Sequence, residues 1–326
     1  MKTWLITGCS TGIGRGIARA VLKSGDQAIV TARNVAKVED FAFSYPDSCL
    51  ALSLDLTDKA SMENAVVSAV ERFGRIDVLV NNAGYGYRAA IEESEEQEID
   101  RLFATNVFGP TKLMQLCLPH MRKQRNGLII NVSSIGAVRA AVGNGFYSAS
   151  KAALELVSDA LGKEVAHLGI RVMTVEPGAF RTSFYDSLHG TGQVIEAYTE
   201  SVGAMRLENM INRHDQPGNP NAAGEVIVDL VASGELPRRL PLGSDAVKVI
   251  RGELDPGQGP WHYEAGSRRD RYAAGVLLRL AQGVEHLPDD RRSLARRGVR
   301  RNLHGIQNTQ KRRSDAHSGL WRVSGD

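Results

Sequence analysis

Cysteine is scarce: the 326 residues contain three, Cys9, Cys49 and Cys117, far apart and with no C-x-x-C pair. That spacing argues against a disulfide framework or a cysteine-built metal site and fits a reducing compartment. Each cysteine is expected to be a small buried hydrophobe. No apolar run approaches the roughly 18 residues that a membrane span needs. The opening Met-Lys-Thr-Trp-Leu-Ile-Thr-Gly enters a strand pattern at once, without the apolar stretch and small residues of a secretory signal. A cytoplasmic protein with no membrane span is expected.

Charge of one sign is scarce in the last sixty residues. Thirteen Arg and one Lys face six acids there, about +8, so the first 266 residues carry −5 of the overall +3. Paired arginines recur at Arg268-Arg269, Arg291-Arg292, Arg296-Arg297, Arg300-Arg301 and Arg312-Arg313, and only Tyr272–Gln282 reads as helical. Apolar content elsewhere is too thin to build a core, so disorder is expected over 267–326, as is dispensability. Tyr272 and Trp321 are the tail's aromatics, too few to stack bases, and the body is acidic, so nucleic acid is not the expected partner. The excess of Arg over Lys also fits a shifted reading frame or a non-native extension.

The chain is 42% hydrophobic and 24% charged, and its first 250 residues alternate strand and helix patterns. Thr3–Thr7 is a short apolar run, followed by Gly8-Cys9-Ser10-Thr11-Gly12-Ile13-Gly14. A helical face of Ile17, Ala18, Val21 and Leu22 precedes Gly25, and Gln27–Ala32 is the next strand. This is a βαβ unit. Its glycines would let the backbone approach a pyrophosphate, and the helix N-terminus offers unpaired N–H groups to that anion. Strands follow at Cys49–Leu54, Ile76–Val80, Leu128–Val132, Arg171–Val175 and Leu240–Gly243. Helices are expected at Ala60–Phe73, Glu92–Ala104, Val107–Gln124 (interrupted near Gly109-Pro110), around Tyr147 to about His167, and at Ser244–Gly252. The pattern specifies an α/β class: one doubly wound, mostly parallel sheet covered on both faces. Ligands of such sheets bind beyond the carboxyl ends of the strands, where the polar and glycine clusters fall.

Tyr147 and Lys151 are four residues apart, one turn on one face of a helix. A nearby ammonium favours the phenolate over a phenol whose ordinary pKa is about 10, bringing it toward acid/base work near neutrality.

Thr7-Gly8-Cys9-Ser10-Thr11-Gly12-Ile13-Gly14, Asn81-Asn82-Ala83-Gly84, Ser134 thirteen residues before Tyr147, Tyr147-x-x-x-Lys151 and Pro177-Gly178 together resemble the short-chain dehydrogenase/reductase family, in its order and at its spacings, over about residues 1–250. The resemblance implies a single Rossmann catalytic domain, 1–266, and a tetrad. Tyr147 would exchange a proton with the substrate oxygen and Ser134 would position that oxygen. Lys151 would hold the nicotinamide ribose and lower the Tyr147 pKa, and Asn106 would support a water-linked proton path. Gly8, Ser10, Thr11, Gly12, Ile13, Gly14, Asn81, Ala83, Gly84, Pro177, Gly178 and Thr182 would line the cofactor. Asp55, with Leu56 beside it, reads either as an adenine contact or as a helix-capping acid.

The second strand ends without the acid that would bind an NAD ribose, and Arg33 follows. A guanidinium pairs bidentately with a 2′-phosphate, so NADP is the expected cofactor. Residues 180–220, with Phe184, Tyr185, Leu188, Tyr198, Met205, Leu207 and Met210, have no parallel-strand pattern and correspond to the family's substrate lid. They suit a lipophilic substrate and equally suit ordinary helix core. The expected activity is interconversion of an alcohol with a ketone or aldehyde, similar to the 17β-hydroxysteroid and retinol dehydrogenase branch. A homo-oligomer is compatible with this. The rival reading, a catalytically silent NADP-binding regulator, conflicts with the complete tetrad.

Overall fold

A computed structural model describes residues 1–211 and 215–254. The expectations for the tail after Gly266, including Tyr272–Gln282, lie outside the described residues. Seven parallel strands form the sheet: β1 (Thr3–Ile6), β2 (Gln27–Ala32), β3 (Cys49–Ser53), β4 (Val78–Asn81), β5 (Gly127–Val132), β6 (Ile170–Pro177) and β7 (Arg239–Leu242), in the order 3-2-1-4-5-6-7. Register is continuous across the centre, with Leu5 beside Ile29 and Leu79, and Leu79 beside Ile129. A two-residue parallel ladder, Tyr87–Arg88 with His189–Gly190, lies outside this sheet and joins the segment after β4 to the segment after β6.

The period-two direction of side chains splits the core in two. Trp4, Ile6, Val30, Val80 and Ile130 face one side and Leu5, Ile29, Leu79 and Ile129 the other. Both faces are apolar because both are covered. Helix α1 (Gly12–Lys23) packs Ile17, Ala18 and Val21 on the first side. The short α2 (Glu39–Ser44) adds Phe41 there. The second side is covered by α3 (Lys59–Phe73), which carries Met62, Val66 and Ala69. After α4 (Glu96–Phe103), a π turn over Ala104–Phe108 runs into α5 (Gly109–Gln124), which supplies Leu113, Met114 and Cys117. The expected interruption near Gly109-Pro110 takes the form of this π turn, which ends at Phe108, and the helical backbone continues through Pro110 in the first turn of α5. The following α6 (Gly145–Val165) packs on the same side. Helix α4 starts at Glu96 rather than at Glu92, because Ala90–Ser94 turns back on itself, Glu93 N donating to Ala90 O.

Past β6 come α7 (Ala204–Ile211), α8 (Pro220–Ser233) and α9 (Ser244–Leu254). Helix α8 was not expected from sequence. It lies against α1 at backbone contact: a Cβ on Gly16 would meet the Pro220 carbonyl oxygen, and one on Gly224 the Gly16 carbonyl oxygen. The three cysteines are free and buried, as expected, and burial pushes their thiols up to about 12. No helix among the described residues is long and apolar enough to cross a membrane.

The α1–α8 contact makes a stability prediction. Gly224→Ala inserts a methyl against backbone that cannot rotate away, an overpacking cost of about 1–3 kcal/mol. The melting temperature should fall by several degrees, at roughly 2–4 °C per kcal/mol for a domain of this size. An unchanged melt would show that the helices separate freely.

Candidate active site

All strands of a parallel sheet end on one edge, and the polar clusters meet there. Between β1 and α1, Gly8 sits at φ +74°, and a Cβ on it would lie 2.9 Å from Ala83 Cα. Gly12 sits at φ +61°, where a Cβ would lie 3.0 Å from Thr182 Cγ2. Glycine is needed at both, for the left-handed backbone and for the close approach. Gly14 is held tightly as well, with the Asn82 amide against its Cα. Asn82 Nδ2 donates to Thr7 O (2.9 Å) and Gly8 O (3.1 Å), and Asn82 N and Ala83 N both donate to Thr7 Oγ1 (3.0 Å). Strand β4 thereby clamps the glycine turn.

The first turn of α1 carries no acid and no side-chain cap; the Thr11 hydroxyl instead lies 2.5 Å from that of Ser183. Its leading N–H groups, beside half-buried Ser10 and Ile13, form a cradle for an anion. Arg33 follows β2 directly and is exposed. Asp55 accepts from Thr57 N (2.8 Å) and Thr57 Oγ1 (2.7 Å), which hold its carboxyl below the ordinary range, so its turn is local. Asp58 is the α3 cap, accepting from Ala60 N. Leu56 is buried beside Gly109. The residues fit a dinucleotide: a glycine cradle for the pyrophosphate, then a surface cation where the ribose of the adenosine half would lie.

Asn81 lies differently from its neighbours. Its side chain turns into the sheet, donating to Asn131 Oδ1 (2.8 Å), while Asn131 donates to Ser158 Oγ (2.7 Å). Asn82, not singled out from sequence, is the member of the pair that touches the glycine turn. A residue ending a strand can face either side, and register alone decides which.

Tyr147 and Lys151 are buried on α6 and face the carboxyl end of β5, where Lys151 Nζ donates to Val132 O (3.0 Å). Ser134 opens a short turn after β5, its Oγ accepting from Gly136 N (3.0 Å), and Gly136 borders both Ser134 and Tyr147. Asn106, on the π turn, accepts from Tyr85 N (3.2 Å) and donates to Tyr85 O (3.0 Å) and Ser150 Oγ (3.1 Å). Gly84 borders Asn106 Oδ1 and Lys151 Nζ together. Ser134, Tyr147, Lys151 and Asn106 therefore converge on one place.

The electrostatics depart from expectation. Burial pushes the Tyr147 phenol above its ordinary value, while Ser134 and, next, the Arg88 guanidinium pull it back. A downward pull from Lys151 is not among these effects. Burial instead brings Lys151 itself down to about 8, with Glu155 opposing. Helical spacing could have flagged Glu155, one turn beyond Lys151 on the same face. It accepts from Ser133 Oγ (2.6 Å) and pairs with Arg239 (2.7 Å), which also reaches Glu176 at 3.4 Å. Both glutamates are buried. Burial, and then the neighbouring Glu155, raise Glu176 to about 7. Burial thus disfavours the charged form of both carboxyls.

Pro177 and Gly178 end β6, where Gly178 N donates to Leu242 O (2.9 Å) and Ala179 N to Asp245 Oδ2 (2.6 Å). The chain then crosses the site. Thr182 lies against Gly12, and Phe184 lies 5.7 Å from the Tyr147 ring. Phe184 and Leu188 also cover Gly86. Acids after β4 tether this crossing segment. Buried Glu93 accepts from Ile195 N (2.9 Å) and Arg206 (2.7 Å), and Glu95 from Thr191 Oγ1 (2.8 Å). Tyr198 OH donates to Glu92 (2.6 Å). Of the apolar residues expected to line the lid, Leu207 is exposed and Met205 packs toward Gly143; the Met210 side chain lies outside the described residues.

Compared with known proteins, residues 2–191 match the family model of the short chain dehydrogenases. A 3-ketodihydrosphingosine reductase of Bacteroides thetaiotaomicron is 38% identical over 73% of this chain and 87% of its own. A short-chain dehydrogenase structure from Streptomyces avermitilis is 42% identical, covering 79% of this chain and 94% of that one with a TM-score of 0.72. Two more distant structures carry nucleotides. An alcohol dehydrogenase from Thermococcus sibiricus is complexed with 5-hydroxy-NADP (26% identity, TM-score 0.60, 74% and 94% covered). A 3-ketoacyl-(acyl-carrier-protein) reductase from Brucella melitensis is complexed with NADH (28%, 0.65, 76% and 98%).

The buried acid pair makes a pH prediction. A carboxyl whose folded pKa stands above its unfolded value of about 4.3 stabilises the fold below that value. The contribution is lost as pH rises through about 7. Glu176→Gln removes this loss, so the melting temperature of the variant relative to wild type should rise between about pH 5 and pH 8. A difference that is flat across that window would contradict the raised Glu176 carboxyl.

Proposed function

The chain belongs to the short-chain dehydrogenase/reductase family of hydride-transferring oxidoreductases, and from that premise we propose that it is an NADP-dependent carbonyl reductase/alcohol dehydrogenase acting on a substrate with an apolar body. The observation that carries the reading is the convergence of Ser134, Tyr147 and Lys151 beside the glycine cradle. The cradle of Gly8, Gly12 and Gly14, with Ser10, Thr11, Ile13, Ala83, Gly84, Pro177, Gly178 and Thr182 around it, would hold the dinucleotide, which supplies the hydride when bound.

Tyr147 Oη gives the proton to the carbonyl oxygen, or takes it back in the oxidative direction. A phenol kept protonated by burial suits the donor role near neutrality. Ser134 Oγ hydrogen-bonds the same oxygen and fixes its distance from the phenol. Lys151 orients the ribose beside Tyr147. Asn106 holds the π turn against Tyr85 and Ser150 and so keeps the floor of the proton path in place. Phe184 over Tyr147 keeps water from the reacting carbon. Arg33 at the end of β2, with no acid there, favours the 2′-phosphate of NADP. The apolar faces of Phe184 and Leu188 support a lipophilic substrate, as does the likeness to a ketodihydrosphingosine reductase.

NADPH oxidation against a panel of ketones and aldehydes identifies the activity. Tyr147→Phe should lower turnover by roughly 100- to 10,000-fold while leaving NADPH binding, read by fluorescence, nearly intact. Substantial residual turnover would remove Tyr147 from the proton step.

Arg33→Ala should weaken NADPH by about 1.5–3 kcal/mol, the worth of a charge-assisted contact, and leave NADH almost unchanged. A wild type that prefers NADH, or a variant with unaltered preference, would refute the assignment. Unchanged NADPH binding in a protein that reduces no carbonyl would instead favour a silent NADP-binding regulator.

A further inference from the structure

Arg88 stands in the two-residue ladder with Gly190, and its guanidinium lies over the Tyr147 ring, Cζ 5.8 Å from the centroid. Its Nε and Nη1 atoms are buried and have no hydrogen-bond partner. Tyr147 from α6 and Tyr185 from the segment after β6 are the titratable groups that act on it, and among the described residues no carboxylate pairs with it. Arginine donates through a planar fork and cannot shed its charge at physiological pH. Holding that fork buried with donors unused is costly. Other cations near this site have partners: partly exposed Arg206 meets Glu93, partly exposed Arg239 meets Glu155, and buried Lys151 donates to Val132 O.

We propose that Arg88 is a substrate-recognition residue that binds a carboxylate carried close to the reacting carbonyl, making the natural substrates oxo acids or hydroxy acids with an apolar remainder. This rests on the reading of Tyr147 as the proton donor. Placed over the Tyr147 ring rather than at the surface, the fork reaches an anionic group within a few bonds of a carbonyl held at Tyr147 Oη. The guanidinium, with Phe184 and Tyr185 as walls, matches a planar monoanion better than a doubly charged phosphate. The carboxylate would accept from the unused Nε–H or Nη1–H in one charge-assisted hydrogen bond. The apolar wall then meets the remainder of the molecule, which reconciles a lipophilic cleft with a buried charge.

The test compares 2-, 3- and 4-oxo acids with their methyl esters as substrates of the NADPH-loaded full-length enzyme. Wild type should favour the acid over its ester in kcat/KM by roughly ten- to a hundredfold in at least one of the three series. Arg88→Met should bring that ratio to near unity, and Arg88→Lys should keep part of it. The ratio cancels any change that the lost charge makes to the Tyr147 phenol, since both substrates share it. Equal or better use of the esters by wild type in all three series, or an Arg88→Met ratio equal to wild type, would overturn the proposal. Calorimetric titration of the NADP-loaded protein with octanoate and with octanamide reads the same contact without turnover. Octanoate should bind more tightly, and Arg88→Met should abolish the difference; no preference in wild type would overturn the proposal. If neither acids nor esters are reduced, the oxidoreductase reading fails, and the titration still decides the role of Arg88.

Discussion

The site is organised around one electrostatic constraint, the burial of the Lys151 ammonium beside the Tyr147 phenol. A cation taken out of water must be compensated locally. The Val132 carbonyl at 3.0 Å gives direct compensation, and Glu155 one turn along α6 adds charge. Glu155 in turn is held by the Ser133 hydroxyl and Arg239, with Glu176 beside it. Removing any one member leaves a buried charge on its neighbour. Three strands and one helix are thereby fixed relative to each other: β5 through Val132 and Ser133, β6 through Glu176, β7 through Arg239, and α6 through Lys151 and Glu155.

The same end of the sheet carries the glycine cradle, so the proposed cofactor site and the Tyr147 cluster share one frame. Asn82, with three hydrogen bonds to Thr7 and Gly8, and Ala83, with a fourth to Thr7, tie the end of β4 to the turn after β1. The close α1–α8 contact at Gly16 and Gly224 sets how near the cradle stands to the segment after β6, in which Thr182 and Ser183 touch Gly12 and Thr11. The acids Glu92, Glu93 and Glu95 then fasten the rest of that segment across the cleft. Catalysis by positioning requires such over-determined supports, because small displacements of a proton donor cost large factors in rate.

Much of this was legible in the sequence where the cause is local. The glycine turn, its flanking strand and helix, and the Tyr147–Lys151 spacing all follow from neighbours in the chain, and their boundaries agree with the structure to within a few residues. The sheet class followed from alternation. What could not be read depends on register or burial. Asn81 and Asn82 exchange importance because strand register turns one inward. Glu176 and Arg239 are 63 positions apart and meet only because β6 and β7 pair. The direction of the Tyr147 shift inverted because the phenol is buried, a tertiary quantity. Helix α8 was not assigned from sequence, although its signals are local: Asn219 caps it, Pro220 opens its first turn and Gly234 ends it in the left-handed region. Arg88 gave no signal in sequence: an arginine after a glycine-rich stretch reads as solvated surface, and only the structure shows it over the Tyr147 ring.

The central claim is that this edge of the sheet transfers hydride to a carbonyl carbon while Tyr147 protonates the oxygen. Reduction of a ketone with NADPH carrying deuterium at the transferred position, followed by mass spectrometry of the product, tests it most directly. The account predicts an alcohol with one deuterium on its carbinol carbon. Alcohol formed without the label, or no alcohol from any ketone of the panel with cofactor bound, would contradict it.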